Sequence, residues 1–543
     1  MSSIVQHAPS FSPQDAQKIA ADLFNVIGEC EKLPSERDQN FRLKTVSEGD
    51  FVLKIANAVE PFDVLYFQNQ VMARLGQGRS KQIDGVVSSP EVCRTNDNEA
   101  IATVDGNHGQ THFVRLLTYL PGKPLALVKP HDPELLTNLG RFFGHIDQTL
   151  EDFDHPSAHR DFHWDLQHAS RVVGELTEHI ATSEKRNIVT GFLAHYQTHT
   201  APLLDELRMS VIHNDGNDYN ILVVPKGMWG NQVGGIIDFG DMVYTHTVNE
   251  LAITCAYAML DKNDPLACAG HIVKGYHAIY SLTENELAVL FDLICMRLCM
   301  SVCHCAHQFS IEPDNEYLRI SEKPAWKLLQ QLAGIHSRMA EYLFRDACGL
   351  TPVTRSTQVV QWLERQNNTF APIVEADLQG DNPLVFDFSV GSTFLGLGQA
   401  TPETNLTDLS SLSSRIAAEI CDNNAAVGIG RYDEARALYR SPAFESVTDM
   451  MPERRTIHMG VDLYMAAGSS IKAFMDGKIH SFQNNAAHLD YGPTIILEHT
   501  TGDVPFYTLY GHLSLVSLKG LEPGRIIRKG DVFAKIGDMD VNG

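Results

Sequence analysis

The segment VIHNDGNDYNILVV places His213, Asp215 and Asn220 on a short polar stretch between two apolar runs. Asp238 follows eighteen residues after Asn220, at the end of the strand-like segment GIIDFGD. A carboxylate on a loop can accept the proton of an attacking hydroxyl group, and Mg²⁺ prefers hard oxygen ligands such as amides and carboxylates. The spacing therefore predicts a phosphoryl-transfer site in which Asp215 is the base and Asn220 and Asp238 hold the metal.

A lysine with a matching role lies upstream. Lys54, in the segment FVLKIA, is in the middle of a predicted strand, from which its ammonium group can reach the phosphates of a nucleotide. A single lysine in a strand usually faces solvent, so the prediction depends on the ordered set of residues. The order of lysine, catalytic loop and metal aspartate is the order found in protein kinases.

A different chemistry is indicated near the end of the chain. His458 and Asp462, in the segment HMGVD, are four positions apart and offer an imidazole nitrogen and a carboxylate oxygen to one zinc ion. His512 lies just after a strand-like segment, in YTLYGHLS. Catalytic zinc sites use three protein ligands, so this pair alone is half of a site. Three nearby histidines are alternative ligands: His480, His488 and His499.

The elements that must position these residues divide the chain into four segments. Residues 1–116 have an N-terminal helical pattern followed by hairpin-like alternation, and residues 117–346 are mainly helical in pattern. Residues 347–424 are rich in Asn, Gly, Pro, Ser and Thr, which predicts a loosely packed connector. From 425 to 543, short apolar runs alternate with Gly and Asp turns. The fold class is therefore multidomain, with an α+β region followed by an all-β region.

Composition limits the classes of partner. The formal net charge is −24, whereas a nucleic-acid-binding surface needs to be basic. The N-terminus has no signal-peptide pattern, and no run of about eighteen apolar residues predicts a membrane span. The ten cysteines have no framework spacing, and Cys295, Cys299 and Cys303 recur every four positions, as on one face of a buried helix. We expect a cytoplasmic protein that contacts neither nucleic acid nor membrane, either as a monomer or as a homo-oligomer.

The chain from Leu33 to about Leu343 resembles the aminoglycoside phosphotransferase/choline kinase superfamily. The segments RDQNF, FVLKIAN, VRLLTYLPG and IHNDGNDYNILV are similar to those of its hydroxylysine kinase branch. The resemblance implies a bilobal protein-kinase-like fold, with an N-lobe over 1–116 and a helical C-lobe over 117–346. It also implies that ATP or GTP, together with Mg²⁺, is used to phosphorylate the hydroxyl group of a small amino alcohol such as hydroxylysine or ethanolamine.

The same resemblance implies roles for individual residues. Asp215 is the catalytic base, with His213 beside it in the motif, and Lys54 binds phosphate. The nucleotide-binding segments are the loop SERDQN and the hinge LTYL. The nucleotide contacts expected in these two segments are Ser35, Asn40, Leu117 and Tyr119.

Two features depart from the family pattern. The helix that should offer Lys54 a carboxylate contains YFQNQVM, so its predicted partner is Gln68, a neutral amide. An amide can orient the ammonium group but stabilises it less than an ion pair would. The nucleotide loop also lacks the pattern G-x-G-x-x-G.

The acceptor pocket is predicted to lie in the helical lobe. Trp164, in HRDFHWDLQHA, could present its ring to a substrate ammonium group beside Asp165. The alternative is a packed tryptophan next to a helix-capping aspartate. The acidic candidates for binding the ammonium group are Asp147, Asp161, Asp165 and Glu250.

From about residue 455 onward the chain resembles the lysostaphin-like zinc endopeptidase domain. The resemblance implies that His458 and Asp462 bind zinc and that His512 assists the activated water or the oxyanion. The family's third ligand comes from a later H-x-H motif, which does not occur before Gly543. We therefore expect a truncated domain without hydrolytic activity, in which zinc binds only where a longer chain supplies that ligand. The domain order resembles bacterial fusion proteins that continue into a class III aminotransferase domain.

Two functions of different classes follow. The preferred one is a small-molecule kinase built around Asp215. The alternative is a zinc metallopeptidase whose kinase-like domain is degenerate and only binds. A role of the β-rich segment in assembly is a third reading.

Overall fold

A computed structural model of the protein describes residues 8–35, 37–46, 49–77, 88–106, 109–311, 322–378, 380, 382–395, 409–436, 439, 444–446 and 453–538. The chain divides into two compact units, Met1–Pro352 and Val353–Gly543. The first holds the kinase-like segments and the second holds the peptidase-like segments.

The first unit begins with helix α1 (Pro13–Phe24), which packs on a six-stranded antiparallel sheet. Its strands are β1 (Glu29–Leu33), β2 (Gln39–Lys44), β3 (Phe51–Ile55), β4 (Val92–Cys93), β5 (Ala102–Asp105) and β6 (Thr111–Thr118). The strand order is β1-β2-β3-β6-β4, and β5 also pairs with β6. Helix α2 (Phe62–Gly76) follows β3 in the chain. This is the α+β N-lobe that the sequence predicts.

Buried apolar and polar side chains alternate along the central strands, so the sheet has one face in the core and one face that carries polar residues. Phe41 on β2 and Leu53 on β3 are fully buried against α1. Asn40, Lys54 and Arg115 are in register across β2, β3 and β6. Because successive side chains of a strand point to opposite faces, these three polar residues share the face opposite to that core.

The rest of the first unit is a helical lobe with two small sheets. One sheet contains β7 (Lys123–Pro124), β9 (Ile221–Lys226) and β10 (Gly230–Ile236), and the other pairs β8 (Met209–Ile212) with β11 (Val243–His246). The helices are α3 (Pro133–Leu150), α4 (Ala169–Leu176), α5 (Ser183–His195), α6 (Val248–Ala258), α7 (Pro265–Ile279), α8 (Glu284–Ile311), α9 (Glu322–Leu332) and α10 (Ser337–Ala347). Asp215 follows β8 and Asp238 follows β10, so the ends of the two small sheets carry the candidate catalytic residues.

Helix α8 is long and apolar enough to cross a membrane, by length and composition alone. It is the one such helix in the part of the chain that the structure describes, and 89% of its apolar window is buried inside the protein. Burial of this kind is typical of a core helix. Cys295, Cys299 and Cys303 lie in this core, as expected, and all ten cysteines are free thiols.

The second unit is built around short antiparallel sheets. The largest has the order β22-β21-β20-β23, from β20 (Gly477–Asn485), β21 (Gly492–Thr501), β22 (Val504–Tyr510) and β23 (Ile526–Ile527), and β19 (Ser470–Lys472) pairs with β24 (Val532–Lys535). The smaller sheets contain β12 (Leu384–Phe386), β13 (Gly428–Gly430), β14 (Glu434–Ala435), β15 (Glu445–Ser446), β16 (Glu453–Arg454), β17 (Ile457–His458) and β18 (Asp462–Tyr464). His458 and Asp462 are thus the last residue of β17 and the first of β18.

Residues 347–424, predicted to be a loosely packed connector, contain regular structure. They include helix α11 (Ser356–Gln366), strand β12 and helix α12 (Leu409–Asp422), and β12 pairs with β13 in parallel. Phe386, Phe388, Leu395 and Ile416 form a small core there. The polar composition conceals this core because a few aromatic side chains supply most of its apolar surface.

Candidate active site

The loop between β8 and β9 packs directly on the helices beneath it. A Cβ atom on Gly216 would lie 2.8 Å from Phe143 Cζ and 2.8 Å from Thr254 Oγ1, so a larger residue would push the loop off the helices. Asn214 has a positive φ of 64°, and its backbone N–H donates to Glu250 Oε2 at 3.0 Å. These contacts fix the loop on α3 and α6.

The Asp215 carboxylate lies between two amide side chains. Asn217 Nδ2 donates to Asp215 Oδ1 at 2.9 Å, and Asn220 Nδ2 donates to Asp215 Oδ2 at 2.6 Å. His213 is buried beneath the loop, where its Nδ1 accepts from the Asp215 N–H at 3.3 Å, and burial lowers the pKa of His213 to about 4. The Asp215 carboxylate is therefore held in one orientation by the two amides, and His213 supports the loop from beneath. The role of Asp215 as a base stays a prediction.

Asp238 begins the loop after β10 in a left-handed conformation, with φ 65° and ψ 82°. Such a conformation costs a non-glycine residue about 1–3 kcal/mol and is characteristic of functional sites. Lys54 Nζ lies 3.5 Å from Asp238 Oδ1, and the lysine charge lowers the pKa of Asp238. The sheet lysine and the metal-loop aspartate therefore meet, as the order of motifs predicts.

The donor atoms of Asn220 and Asp238 suit Mg²⁺. The Asn220 amide directs its nitrogen to the side chain and main chain of Asp215, which leaves its oxygen for another partner. The side chain of Asp238 is 53% exposed. An amide oxygen and a carboxylate are ligands that Mg²⁺ prefers, so these two residues would hold the ion that neutralises phosphate charge.

Arg297, which belongs to none of the motifs in the sequence, lies beside the Asp215 carboxylate. This residue of α8 is 2% exposed, with its Nη2 3.8 Å from Asp215 Oδ1 and its Nη1 donating to Trp164 O at 2.8 Å. Burial and the charge of Asp241 raise the pKa of Asp215, and the charge of Arg297 opposes them. The sequence does contain a signal for this role, since Arg297 is the one charged residue of the apolar segment CMRLCM. A buried charge needs a counter-ion, so such an arginine indicates a nearby carboxylate.

The predicted pairing of Gln68 with Lys54 is replaced by a pairing of Gln68 with Arg115. Arg115 Nη2 donates to Gln68 Oε1 at 2.8 Å, and its Nη1 donates to Asn69 Oδ1 at 2.9 Å. Burial lowers the pKa of Arg115 to about 10. The prediction failed because the sequence does not show that a second buried cation lies next to Lys54 in the sheet, with more donors to satisfy.

The nucleotide loop lies between β1 and β2. Ser35 is exposed, Glu36 lies outside the described residues, and Asn40 is within β2 beside Lys54. Asn40 therefore lies on the sheet face that carries Lys54. Direct contact of Ser35 and Asn40 with a nucleotide stays a prediction.

The hinge segment begins in β6. Leu117 is buried within that strand, and the Tyr119 N–H, just beyond it, donates to Asp50 O at 2.9 Å. The Arg42 guanidinium lies 4.0 Å from the centre of the Tyr119 ring. These contacts tie the hinge to the β2–β3 hairpin. Contact of Leu117 and Tyr119 with a base also stays a prediction.

Three of the four acidic residues predicted to bind a substrate ammonium group are fully buried: Asp147, Glu250 and Asp165. Tyr276 Oη donates to Asp147 Oδ2 at 2.5 Å, within the contact between α3 and α7. Glu250 supports the catalytic loop from below, and burial raises the pKa of Glu250 to about 7. Asp147 and Glu250 are buried and bonded within the protein, so they do not face a substrate here. The sequence did not predict this because helical periodicity does not show which face of α3 or α6 is covered.

Asp165 and Asp161 already have partners within the protein. Asp165 is fully buried and caps the short turn that follows it, which is the helix-capping alternative. Asp161 forms an exposed ion pair with Arg171 at 2.5 Å. The cation over the Trp164 ring is the protein's own Arg297, at 4.7 Å from the ring centre.

In the second unit, His458 and Asp462 face each other. His458 Nε2 lies 3.4 Å from Asp462 Oδ1, and His458 Nδ1 is hydrogen-bonded to Tyr439 Oη at 2.7 Å. Arg436 Nη2 contacts Asp462 Oδ2 at 2.7 Å. Burial favours a high pKa for Asp462, but the His458 hydrogen bond and the Arg436 charge lower it to about 2. A cation of the protein therefore already neutralises this carboxylate.

The histidines around this pair do not complete a zinc site. Burial lowers the pKa of His512, and Asp462 and His458 are close enough for their charges to affect this pKa too, whereas His499 uses both ring nitrogens in hydrogen bonds within the unit and His480 and His488 are exposed. Among the described residues, no group of three or more His, Cys, Asp or Glu side chains is placed to hold a metal ion. Residues 539–543 lie outside the described residues. The described residues therefore do not fit a three-ligand zinc centre.

This fold and site define a phosphotransferase of the kind that acts on small molecules. Residues 29–287 match the phosphotransferase enzyme family, and residues 456–543 match peptidase family M23. Hydroxylysine kinase of Bos taurus is 34% identical over 358 residues, which cover 62% of this chain and 93% of the bovine protein. Hydroxylysine kinase of Mus musculus is 32% identical over 361 residues, with coverage of 62% and 93%.

The chain belongs to the phosphotransferase enzyme family and carries a C-terminal M23-like region. Among solved structures, an amicoumacin kinase in complex with AMP-PNP aligns with a TM-score of 0.45 at 15% identity. That alignment covers 59% of this chain and 94% of the amicoumacin kinase. The predicted combination of a bilobal kinase and a lysostaphin-like module is confirmed.

Proposed function

We propose that this protein transfers the γ-phosphate of ATP or GTP to the hydroxyl group of an amino alcohol of the hydroxylysine or ethanolamine type. The observation that carries the proposal is the convergence of Lys54, Asp215, Asn220 and Asp238 on one cleft. Relatives named hydroxylysine kinase support a carboxylate-bearing amino alcohol as the first acceptor to test.

Asp215 acts as the general base in the proposed reaction. Asn217 and Asn220 each donate to one of its oxygens, so its carboxylate is held in a fixed orientation toward the acceptor. The acceptor hydroxyl loses its proton to Asp215 as its oxygen attacks the γ-phosphorus. Lys54 binds the phosphates, and Mg²⁺ supplies charge neutralisation when it is held by Asn220 and Asp238.

The test is a turnover screen of hydroxylysine, ethanolamine and related amino alcohols with ATP and with GTP, using product detection by mass spectrometry. We expect phosphorylation of at least one acceptor by the wild type and loss of that activity in Asp215→Ala. Equal activity in the Asp215→Ala variant would remove the assigned mechanism. No phosphorylated product from any acceptor would remove the proposed function.

The alternative is a zinc metallopeptidase that uses the kinase-like unit for binding, and the match to peptidase family M23 favours testing it. We propose instead that the second unit does not hydrolyse peptides in this chain. Support comes from the two-ligand arrangement of His458 and Asp462 and from the Arg436 contact. Stoichiometric zinc on the purified chain, with peptide cleavage lost in His458→Ala, would establish the alternative.

A further inference from the structure

We propose that Arg37 binds the γ-phosphate of the nucleotide and so takes over the task of a glycine-rich loop. The proposal rests on the proposed function for the reaction it serves. In kinases with the pattern G-x-G-x-x-G, the glycine-rich loop covers the nucleotide phosphates. The loop SERDQN has no glycine and carries an arginine instead.

The backbone of this loop is fixed from behind by Asn57. The Asn57 N–H donates to Asp38 Oδ1 at 3.1 Å, and Asn57 Nδ2 donates to Arg37 O at 3.3 Å. Asn57 is 2% exposed, and both bonds are partly buried. The loop therefore holds Arg37 at a set position, whereas the arginine side chain itself stays 41% exposed.

The Arg37 side chain crosses from the nucleotide loop to the metal loop. Its Nη2 lies 2.5 Å from Asp241 Oδ1, a contact between residues 204 positions apart. A Cβ atom on Gly240 would lie 3.8 Å from Arg37 Nη2 and 3.5 Å from Asp238 Oδ1. The guanidinium group is therefore next to the carboxylate that is expected to hold Mg²⁺.

Charges alternate across this part of the cleft. Lys54 and Arg37 reach it from the N-lobe, and Asp238 and Asp241 reach it from the C-lobe. Burial opposes the charged form of Arg37, yet the Asp241 charge raises the pKa of Arg37 overall. A nucleoside triphosphate with Mg²⁺ offers both negative and positive charge. Its phosphates can therefore bind Lys54 and Arg37, and its Mg²⁺ can bind a carboxylate that these cations now contact. Arginine suits the terminal phosphate because its planar fork binds two oxygens at once.

Arg37 neither gives nor takes a proton in the reaction. The acceptor oxygen forms a bond to the γ-phosphorus, the bond from that phosphorus to the bridging oxygen of the nucleoside diphosphate breaks, and Asp215 takes the hydroxyl proton. Negative charge remains on the oxygens of the transferred group throughout. Arg37 would stabilise that charge from the side of the nucleotide loop.

The experiment compares nucleotide binding and turnover in the full chain. Arg37→Met and Arg37→Lys are measured beside Arg74→Met, which breaks another contact between the two lobes, that of Arg74 with Asp152, far along α2. Binding of AMP-PNP and ADP, and of GMP-PNP and GDP, is measured by calorimetry with Mg²⁺. Turnover is measured with the best acceptor from the screen.

We expect Arg37→Met to lower kcat by roughly 10²-fold, in the range seen for removal of one charge-stabilising donor. It should weaken the triphosphate analogue at least about 10-fold and leave the diphosphate unchanged, because only the former has a γ-phosphate. Arg37→Lys should recover part of both losses, and Arg74→Met should behave as the wild type.

Equal weakening of diphosphate and triphosphate analogue would overturn the proposal, because Arg37 would then only shape the loop. Equal losses of kcat and of triphosphate affinity in Arg37→Met and Arg74→Met would also overturn the proposal, because Arg37 would then only join the two lobes. If no acceptor is phosphorylated by the wild type, the proposed function fails. The difference between triphosphate and diphosphate binding would still decide the role of Arg37.

Discussion

The site residues of the two units differ in how far apart they lie in the sequence. In the first unit, Lys54 and Asp238 are 184 residues apart, and Arg297 comes from a third segment. In the second unit, His458 and Asp462 are four residues apart on consecutive strands. The first site needs a whole folded lobe on each side of the cleft, whereas the second needs one turn of chain.

The surroundings of the two sites differ as well. In the first unit, cations from one lobe face carboxylates from the other, in a cleft where Asp238 is half exposed. In the second unit, Arg436 is itself buried and contacts both Glu434 and Asp462. A short motif shows that ligand atoms are present. The charges around it show whether those atoms are available to a ligand.

The largest expected effect concerns the base of the first site. Asp215→Asn should lower kcat by roughly 10³-fold, because a general base contributes about 10²–10⁴-fold and the amide cannot take the proton. Nucleotide affinity should stay within twofold. Steady-state kinetics and calorimetry measure the two quantities. Asp161→Asn is the control, because Asp161 is on the surface, and wild-type turnover in Asp215→Asn would place the base elsewhere.

The second prediction concerns how two buried histidines of the first unit make its stability depend on pH. Burial lowers the pKa of His131 and of His304 to about 4, against 6.5 in the unfolded chain. Between these values each of the two histidines binds its proton more tightly in the unfolded state, so its own contribution to the stability of the first unit falls as pH falls from about 6.5 toward 4, by up to roughly 3 kcal/mol per histidine. The raised pKa of Glu250 acts in the opposite direction, so the two histidines are tested by substitution. Asp462, with its low pKa, loses its stabilising effect only as pH falls from 3.8 toward 2.

Urea unfolding of the full chain at pH 7, 6 and 5 measures these contributions. At pH 5, the loss of stability that each histidine causes in the first unit should be absent in His131→Gln and in His304→Gln, so the unfolding midpoint of each variant should depend on pH differently from that of the wild type. The same pH dependence in the wild type and both variants would show that these histidines do not contribute.

The third prediction concerns Arg297. Arg297→Met should lower kcat by up to ~100-fold, because Asp215 and Trp164 lose a shared contact and small misplacements of catalytic groups are costly. Arg297→Lys should recover part of the loss, since an ammonium group can still lie over the Trp164 ring. The matched control is Arg345→Met, another buried arginine of the first unit, which should lower stability without changing kcat. Equal kcat for Arg297→Met and wild type would contradict the assignment.

The smallest expected effect tests the second site. Arg436→Met should strengthen zinc binding about tenfold, because a cation no longer repels the metal from Asp462. Zinc titration of the full chain measures this, and the double variant with His458→Ala should lose the gain. Tight stoichiometric zinc on the wild type would show that Arg436 does not prevent binding. The proposed difference between the two units, in which only the second has its carboxylate blocked by a buried arginine, would then be wrong.

The sequence predicted the features that depend on the order of motifs along the chain and on the alternation of apolar and polar residues in strands. The β2–β3 hairpin has the expected two faces, and the segments carrying Lys54, Asp215 and Asp238 meet because their order reflects a shared fold. The M23-like region was likewise evident from HMGVD and YGHL, since zinc ligation demands those residue types.

The sequence could not show which side chains become neighbours across elements. Gln68 was paired with the wrong cation because Arg115 comes next to Lys54 only when β6 pairs with β3. Arg297 was missed because its helix was interpreted from its cysteines. Asp147 and Glu250 are buried, and the sequence does not predict this because an amphipathic pattern does not reveal what covers the polar positions.

The separation between Lys54 and Asp238 also bears on how the protein assembles. Joining residues 184 positions apart costs more chain entropy than joining residues four positions apart, so we expect this ion pair to form only when both lobes have folded. The pair of His458 and Asp462 is local in the chain and does not depend on such a long loop. We therefore expect nucleotide binding to report completed folding of the first unit, whereas a zinc-binding signal from the second unit would not report it.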